Sequence, residues 1–189
     1  MTDIADEQLV ARAQAGDPRA FELLVRKYQY RIVQLVSRLV GEADAPDVAQ
    51  ETFIRAWRAL NGFRGQSAFY TWLYRIGINT AKNSLVSRSR RPADQDIDIA
   101  DAELYGHTEQ LSDIETPEAK ALTEEIREKV EAAINRLPAD LRTAITLREL
   151  EGLSYEEIAQ VMECPIGTVR SRIFRAREAI DAVLKPLLE

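Results

Sequence analysis

The sequence has 189 residues, 46% of them hydrophobic, which suffices for one ordinary domain or two small ones, and it carries only one cysteine (Cys164) and one histidine (His107). That composition leaves no internal disulfide and argues against a zinc site, and no run approaches the ~18 uninterrupted apolar residues of a membrane span. The acidic start MTDIADEQ lacks the layout of a signal peptide, so the expectation is a soluble, cytoplasmic chain without metal or cofactor.

In chain order, a short helix is predicted around 6–15, ended by Gly16. Asp17-Pro18 supplies an N-cap and a first-turn proline. Phe21, Leu24, Val25, Tyr28, Ile32, Leu35, Val36 and Leu39 then follow a 3.6-residue stripe until Gly41. A further helix begins near Pro46, with Ala49, Thr52, Phe53, Ala56, Trp57 and Leu60 on one face, and ends at Asn61-Gly62. Ser67 is placed to cap a long helix bearing Phe69, Trp72, Leu73, Ile76 and Thr80. From Arg91-Pro92 to Thr116 the stripe fails and the composition turns acidic, which reads as a flexible linker. Thr116-Pro117-Glu118 restarts a helix with Leu122, Ile126, Val130, Ala133, Ile134 and Leu137 inward, broken by Pro138. Another helix covers 139–150 and stops at Gly152. No strand is predicted, so the fold class is all-α in two small domains.

The net charge of −6 conceals a segregation. Residues 52–93 hold eight Arg or Lys and no acid, 94–119 hold nine acids and no base, and 164–177 hold four Arg and no acid. Two basic surfaces suited to phosphates are therefore expected on one chain.

The most specific motif is LSYEEIAQVMECPIGTVRSRIFRAR, residues 153–177. Ser154 and Glu157 form a capping box that opens a short helix, with Ile158, Ala159 and Met162 inward. Glu163-Cys164-Pro165 makes the break. In the second helix Val169, Ile173, Ala176 and Ile180 form one inward stripe, which puts Arg170, Ser171, Phe174, Arg175 and Arg177 outside. Arginines and a hydroxyl at the start of such a helix suit reading of a DNA major groove. Cys164 reads as a small apolar turn residue. The segment FRGQSAFYTWLYRIGINTAKN, residues 63–83, interleaves Phe63, Phe69, Tyr70, Trp72 and Tyr74 with Arg64, Arg75 and Lys82. Aromatic faces among cations suit single-stranded nucleic acid, where bases stack and phosphates are neutralised. No Ser–His–Asp arrangement, Gly-rich phosphate loop or metal set is present, and the chain is not expected to be an enzyme.

DVAQETFIRAWRALNGFRGQSAFYTWLYRIGINTAKN resembles region 2 of extracytoplasmic-function (ECF) sigma factors, and LPADLRTAITLRELEGLSYEEIAQVMECPIGTVRSRIFRAREAI resembles their region 4. The resemblance covers nearly the whole chain and is near the sigma-E envelope-stress type. It implies region 2 over 1–91, a flexible acidic linker over 92–116 and a helix-turn-helix region 4 over 117–189. It implies that Asp47, Val48, Gln50 and Glu51 meet the β′ clamp helices of core RNA polymerase. Phe63, Ser67, Tyr70, Tyr74 and Asn79 would then capture a base flipped from the single-stranded −10 element, with Lys82, Arg88, Arg90 and Arg91 on backbone phosphates. Arg170, Ser171, Phe174, Arg175 and Arg177 would read the −35 duplex, while the other face of region 4 meets the β flap. Gly77 stands where many relatives carry Ala, which implies a looser helix. The implied partners are core polymerase, promoter DNA and a membrane-anchored anti-sigma factor that packs two otherwise separate domains together. A conventional helix-turn-helix regulator is the alternative; it leaves the aromatic-basic segment without a role.

Overall fold

The structure, a computed structural model, describes residues 4–89 and 117–188, with side chains over 6–88 and 126–185. The acidic linker, Arg90 and Arg91 therefore lie outside the described residues. Among the described residues every regular element is helical.

Helix α1 spans Ile4–Gln14 and α2 spans Pro18–Val40. Asp17 caps α2 by accepting the Arg19 N–H at 3.0 Å, and Pro18 occupies the first turn. The predicted stripe is the buried face: Phe21, Leu24, Tyr28, Ile32, Leu35 and Val36 all point inward. Gly41 ends the helix at φ 88°, a conformation that disfavours a side chain. The Asp6 carboxylate, 2% exposed, ties α1 to α2 by accepting from the Tyr28 hydroxyl and, at 2.8 Å, from Lys27 Nζ.

Helix α3 spans Ala45–Ala59 and runs into a 3₁₀ turn, Leu60–Gly62. Its buried face differs from the expected one. Ala45, Val48, Ala49, Thr52 and Ala56 point inward, whereas Trp57 is 42% exposed and lies against Phe21 with ring centroids 4.9 Å apart. Small residues dominate this face because both α2 and α4 press on it. Helix α4 spans Phe69–Ser89. Ser67 does not cap it: its hydroxyl donates to the Ala68 carbonyl at 3.3 Å, and the first helical bond runs from Trp72 N–H to that same carbonyl. Ser67 sits one residue too early to accept from the first turn.

In the second half α5 spans Pro117–Arg136, α6 Ala139–Glu149, α7 Tyr155–Met162 and α8 Ile166–Leu188. Pro138 separates α5 from α6, and Gly152 at φ 68° follows α6. The capping box is complete, with Ser154 Oγ accepting from Glu157 N–H and the Glu157 carboxylate accepting from Ser154 N–H. Glu163 closes α7 in the left-handed region, at φ 53°.

The halves do not stand apart. Helix α4 packs on α7 and α2 on α6, and one cluster of buried apolar residues runs through both. The separation that a flexible tether implied is therefore absent from this arrangement.

Candidate nucleic-acid interface

The first surface is the start of α8. Val169, Ile173 and Ala176 are buried against the rest of the second half, and Ile180 is half-buried, so the opposite side of the helix must face solvent. Arg170, Ser171, Arg175 and Arg177 are exposed there, and Phe174 is 67% exposed. Ser171 Oγ is turned back onto the Thr168 carbonyl at 2.9 Å, as serine in a first helical turn often is. The Arg170 guanidinium lies 6.0 Å from the Tyr155 ring centroid, which steers it along the α7–α8 edge.

Not every arginine of this stretch is available. Arg177 holds Glu149 through Nη2 at 2.6 Å and Nε at 3.2 Å, and that carboxylate keeps the guanidinium charged above its ordinary range. Arg172, counted within the basic run, is turned inward: it donates to Asp140 at 2.6 Å and approaches Cys164 Sγ at 3.4 Å. It braces the helix-turn-helix against α6.

The second surface is the loop between the 3₁₀ turn and α4. Phe63 leans on Trp72 and Phe69, with centroids 5.1 and 6.0 Å apart, and leaves a cleft of about 580 Å³. Phe63 and Ser67 line it with Arg64, Trp72 and Arg75, so one aromatic wall faces two cations and a hydroxyl. Gln160 of α7 lines it as well, a contribution that sequence spacing could not have revealed. Asn79 is exposed but does not line the cleft.

Tyr70 and Tyr74 depart from the expected base-facing position. Their rings meet edge to face, 6.0 Å apart, at the seam with the second half. The Tyr74 side chain is buried and donates to Glu151 at 2.6 Å, and Tyr70 donates to Glu157. Burial, then the adjacent carboxylate, pushes the Tyr74 phenol far above its ordinary range and keeps it a donor. Lys82 also faces the seam, 4.0 Å from Asp140, and Arg88 pairs with Asp44 at the start of α3. In this arrangement Tyr70, Tyr74, Lys82 and Arg88, like Arg177 on the first surface, are engaged by carboxylates of the chain itself, and Arg75 lies 3.9 Å from Glu163. A buried phenol demands an acceptor, but nothing local to residues 70–74 marks one lying 77 or 87 positions away.

Two family descriptions match the chain: Sigma-70 region 2 over residues 24–91 and Sigma-70 region 4 over residues 127–180. The RNA polymerase sigma-H factor of Pseudomonas aeruginosa is 62% identical over 189 residues, covering 100% of this chain and 98% of the relative. The ECF RNA polymerase sigma-E factor of Escherichia coli K12 is 58% identical, covering 98% of this chain and 97% of that one. A solved complex of the sigma factor RpoE with the anti-sigma factor NepR from Bartonella quintana covers 87% of this chain and 96% of that one, at 27% identity and a TM-score of 0.67. The chain belongs to the ECF sigma factors.

Membership gives the chain promoter recognition for RNA polymerase, and relatives of this kind are not enzymes. In this sigma factor the polar edge of α3 divides sharply. Asp47 and Gln50 are exposed, and Glu51 is half-buried and paired with Arg55 at 2.7 Å. Val48 is only 5% exposed and belongs to the core beneath α3, so the expectation of a partner contact there is corrected. Period-3.6 geometry turns position 48 inward between the exposed positions 47 and 50. Gln50 also borders an apolar groove of about 650 Å³ between α2 and α3, floored by Val25, Phe53 and Trp57. Among the described residues no helix is long and apolar enough to cross a membrane, and no group of His, Cys, Asp and Glu could hold a metal ion.

Proposed function

We propose that this sigma factor joins core RNA polymerase, reads the −35 duplex through α8, and captures a flipped −10 base in the Phe63 cleft. The observation that carries the reading is the one-sided start of α8. Val169, Ile173 and Ala176 are buried while Arg170, Ser171, Phe174 and Arg175 face solvent with no acidic side chain between 164 and 177. Such a face can enter a major groove, where arginine pairs with guanine or phosphate. Asp47, Gln50 and Glu51 supply the polar contact with the β′ clamp helices, and the apolar groove beside them takes the hydrophobic part.

The mechanism is selective binding, with no bond chemistry. Opening a duplex loses stacking and pairing energy, and a cleft that accepts only the correct flipped base returns part of it for the right sequence. Phe63 and Trp72 offer the ring face, Ser67 a hydroxyl, and Arg64 and Arg75 the phosphate charge. Tyr70, Tyr74 and Lys82 join this surface when the two halves separate, and Arg88 joins it on leaving Asp44, its partner within the same half. Arg90 continues it.

The same reading makes the protein cytoplasmic and without catalytic activity of its own. It is held in check by an anti-sigma factor anchored in the membrane, and its genes answer envelope stress. The RpoE–NepR complex supports control by an anti-sigma protein. The test is transcription in vitro with core polymerase and promoter DNA used by the sigma-H relative. Promoter-specific transcripts that need this chain are expected. Tight duplex binding with no polymerase-dependent initiation would favour a conventional helix-turn-helix regulator instead.

A further inference from the structure

The side chain of Gln14, the last residue of α1, makes contacts 46 and 49 residues along the chain. Its Nε2 donates one hydrogen bond to the Leu60 carbonyl at 2.9 Å and another to the Phe63 carbonyl at 2.8 Å. The Leu60 carbonyl also accepts the Phe63 N–H at 3.0 Å. One amide thus fastens both ends of the 3₁₀ turn, at the point where the backbone straightens (Phe63 φ −72°, ψ 117°) and enters the cleft-forming loop.

The base of this clamp is itself held firmly. Val10 and Ala13 of α1 are buried, Asp6 is bonded to Tyr28 and Lys27, and Arg12 bridges Asp17 at 2.7 Å across the turn that follows Gln14. The residue type matters. An amide puts two N–H donors on one nitrogen, which two converging carbonyls require. Glutamate would set a carboxylate against both oxygens, and leucine would keep the bulk but lose the donors.

We propose that Gln14 is a positioning residue for −10 recognition: through these two hydrogen bonds, α1 sets the direction in which Phe63 presents its ring to the flipped base. The inference rests on the reading of the Phe63 cleft as the base-capturing site. It gives the first helix, which contributes nothing to that cleft directly, a share in promoter choice.

The experiment uses the full chain and two fluorescein-labelled probes taken from a promoter transcribed in the assay above: the single non-template −10 strand and the −35 duplex. Gln14→Leu and Gln14→Glu are expected to weaken single-strand binding roughly tenfold, the loss of two ordinary hydrogen bonds being partly recovered by relaxation. Binding to the −35 duplex should be unchanged. Gln14→Lys, whose ammonium can reach both carbonyls, should restore most of the loss, and adding Gln14→Leu to Phe63→Ala should cause no further loss. Measurements at 10 °C, with circular dichroism alongside, separate misaimed loops from unfolded chains. If Phe63→Ala loses single-strand binding and Gln14→Leu does not, the positioning role is overturned and the cleft reading stands. Additive losses overturn it as well. If neither variant loses binding, the cleft reading itself is wrong, and the inference goes with it.

Discussion

At the scale of single residues, exposure and partnership separate the arginines of α8. Arg175 is exposed and Arg177 is held by Glu149. Arg175→Ala should lose about 1–3 kcal/mol of binding to the cognate −35 duplex and much less to a scrambled one, as titration by fluorescence anisotropy would show. Arg177→Ala should change either affinity far less than Arg175→Ala changes the cognate one, because its charge is already answered by Glu149. An equal loss on both duplexes for Arg175 would make it a phosphate contact. The outward set of α8 was legible in the sequence because a single period of apolar residues left it no other side. The partnering of Arg172 and Arg177 was not, since Asp140 and Glu149 come from another helix. Val48 was misread for a related reason: it lies in a polar-looking run whose exposed members are its neighbours.

At the scale of elements, the large apolar stripes of α2 and α8 were predicted closely, and the inward face of α3, built mostly from small residues pressed by α2 and α4, was not. Its junction with α4 explains why. A side-chain carbon built at Gly77 would meet Thr52 Cγ2 at 3.6 Å and Ile32 and Val36 methyls at 3.8 Å, all ordinary contact distances. Gly77→Ala should therefore be accommodated and raise stability by about 0.5–1 kcal/mol, through a less flexible unfolded chain and a better helix former. Urea denaturation would register this as a higher midpoint with an unchanged slope. The start of α7 carries a pH prediction. Burial raises the Glu157 pKa, but hydrogen bonds from the Tyr70 hydroxyl and from Ser154 outweigh it and leave the carboxyl below its ordinary 4.5. The folded pKa being the depressed one, this contribution is complete above about 4.5 and disappears as pH falls through the lower value. Acid titration followed by circular dichroism should show a loss of helix in that window that Glu157→Gln lacks.

At the scale of the molecule, the seam between the halves is the property that no local pattern announced. Region 2 and region 4 were each legible from their motifs; their packing depends on pairs far apart in sequence, such as Tyr74 with Glu151 and Arg142 with the carbonyl of Arg38. Removing both hydroxyls, Tyr70→Phe with Tyr74→Phe, should weaken the closed arrangement by about 1 kcal/mol for each bond lost. Small-angle scattering is expected to show a larger radius of gyration than the parent chain, and the chain should bind core polymerase more readily. A double variant as compact as the parent would assign the closure to apolar packing and Arg142.

Arg142 deserves a last consequence of its own geometry. Its guanidinium donates to three backbone oxygens, those of Arg38 at 3.0 Å, Leu137 at 3.0 Å and Asn135. A main-chain oxygen is present whatever side chain a codon specifies. Drift at position 38 therefore leaves the joint intact, whereas loss of Arg142 removes it in one step. Inheritance of this one joint is lopsided: the N-terminal half is free to vary here, and a single position in the other half supplies the bond, beside the tyrosine–carboxylate pairs and the apolar packing of the seam.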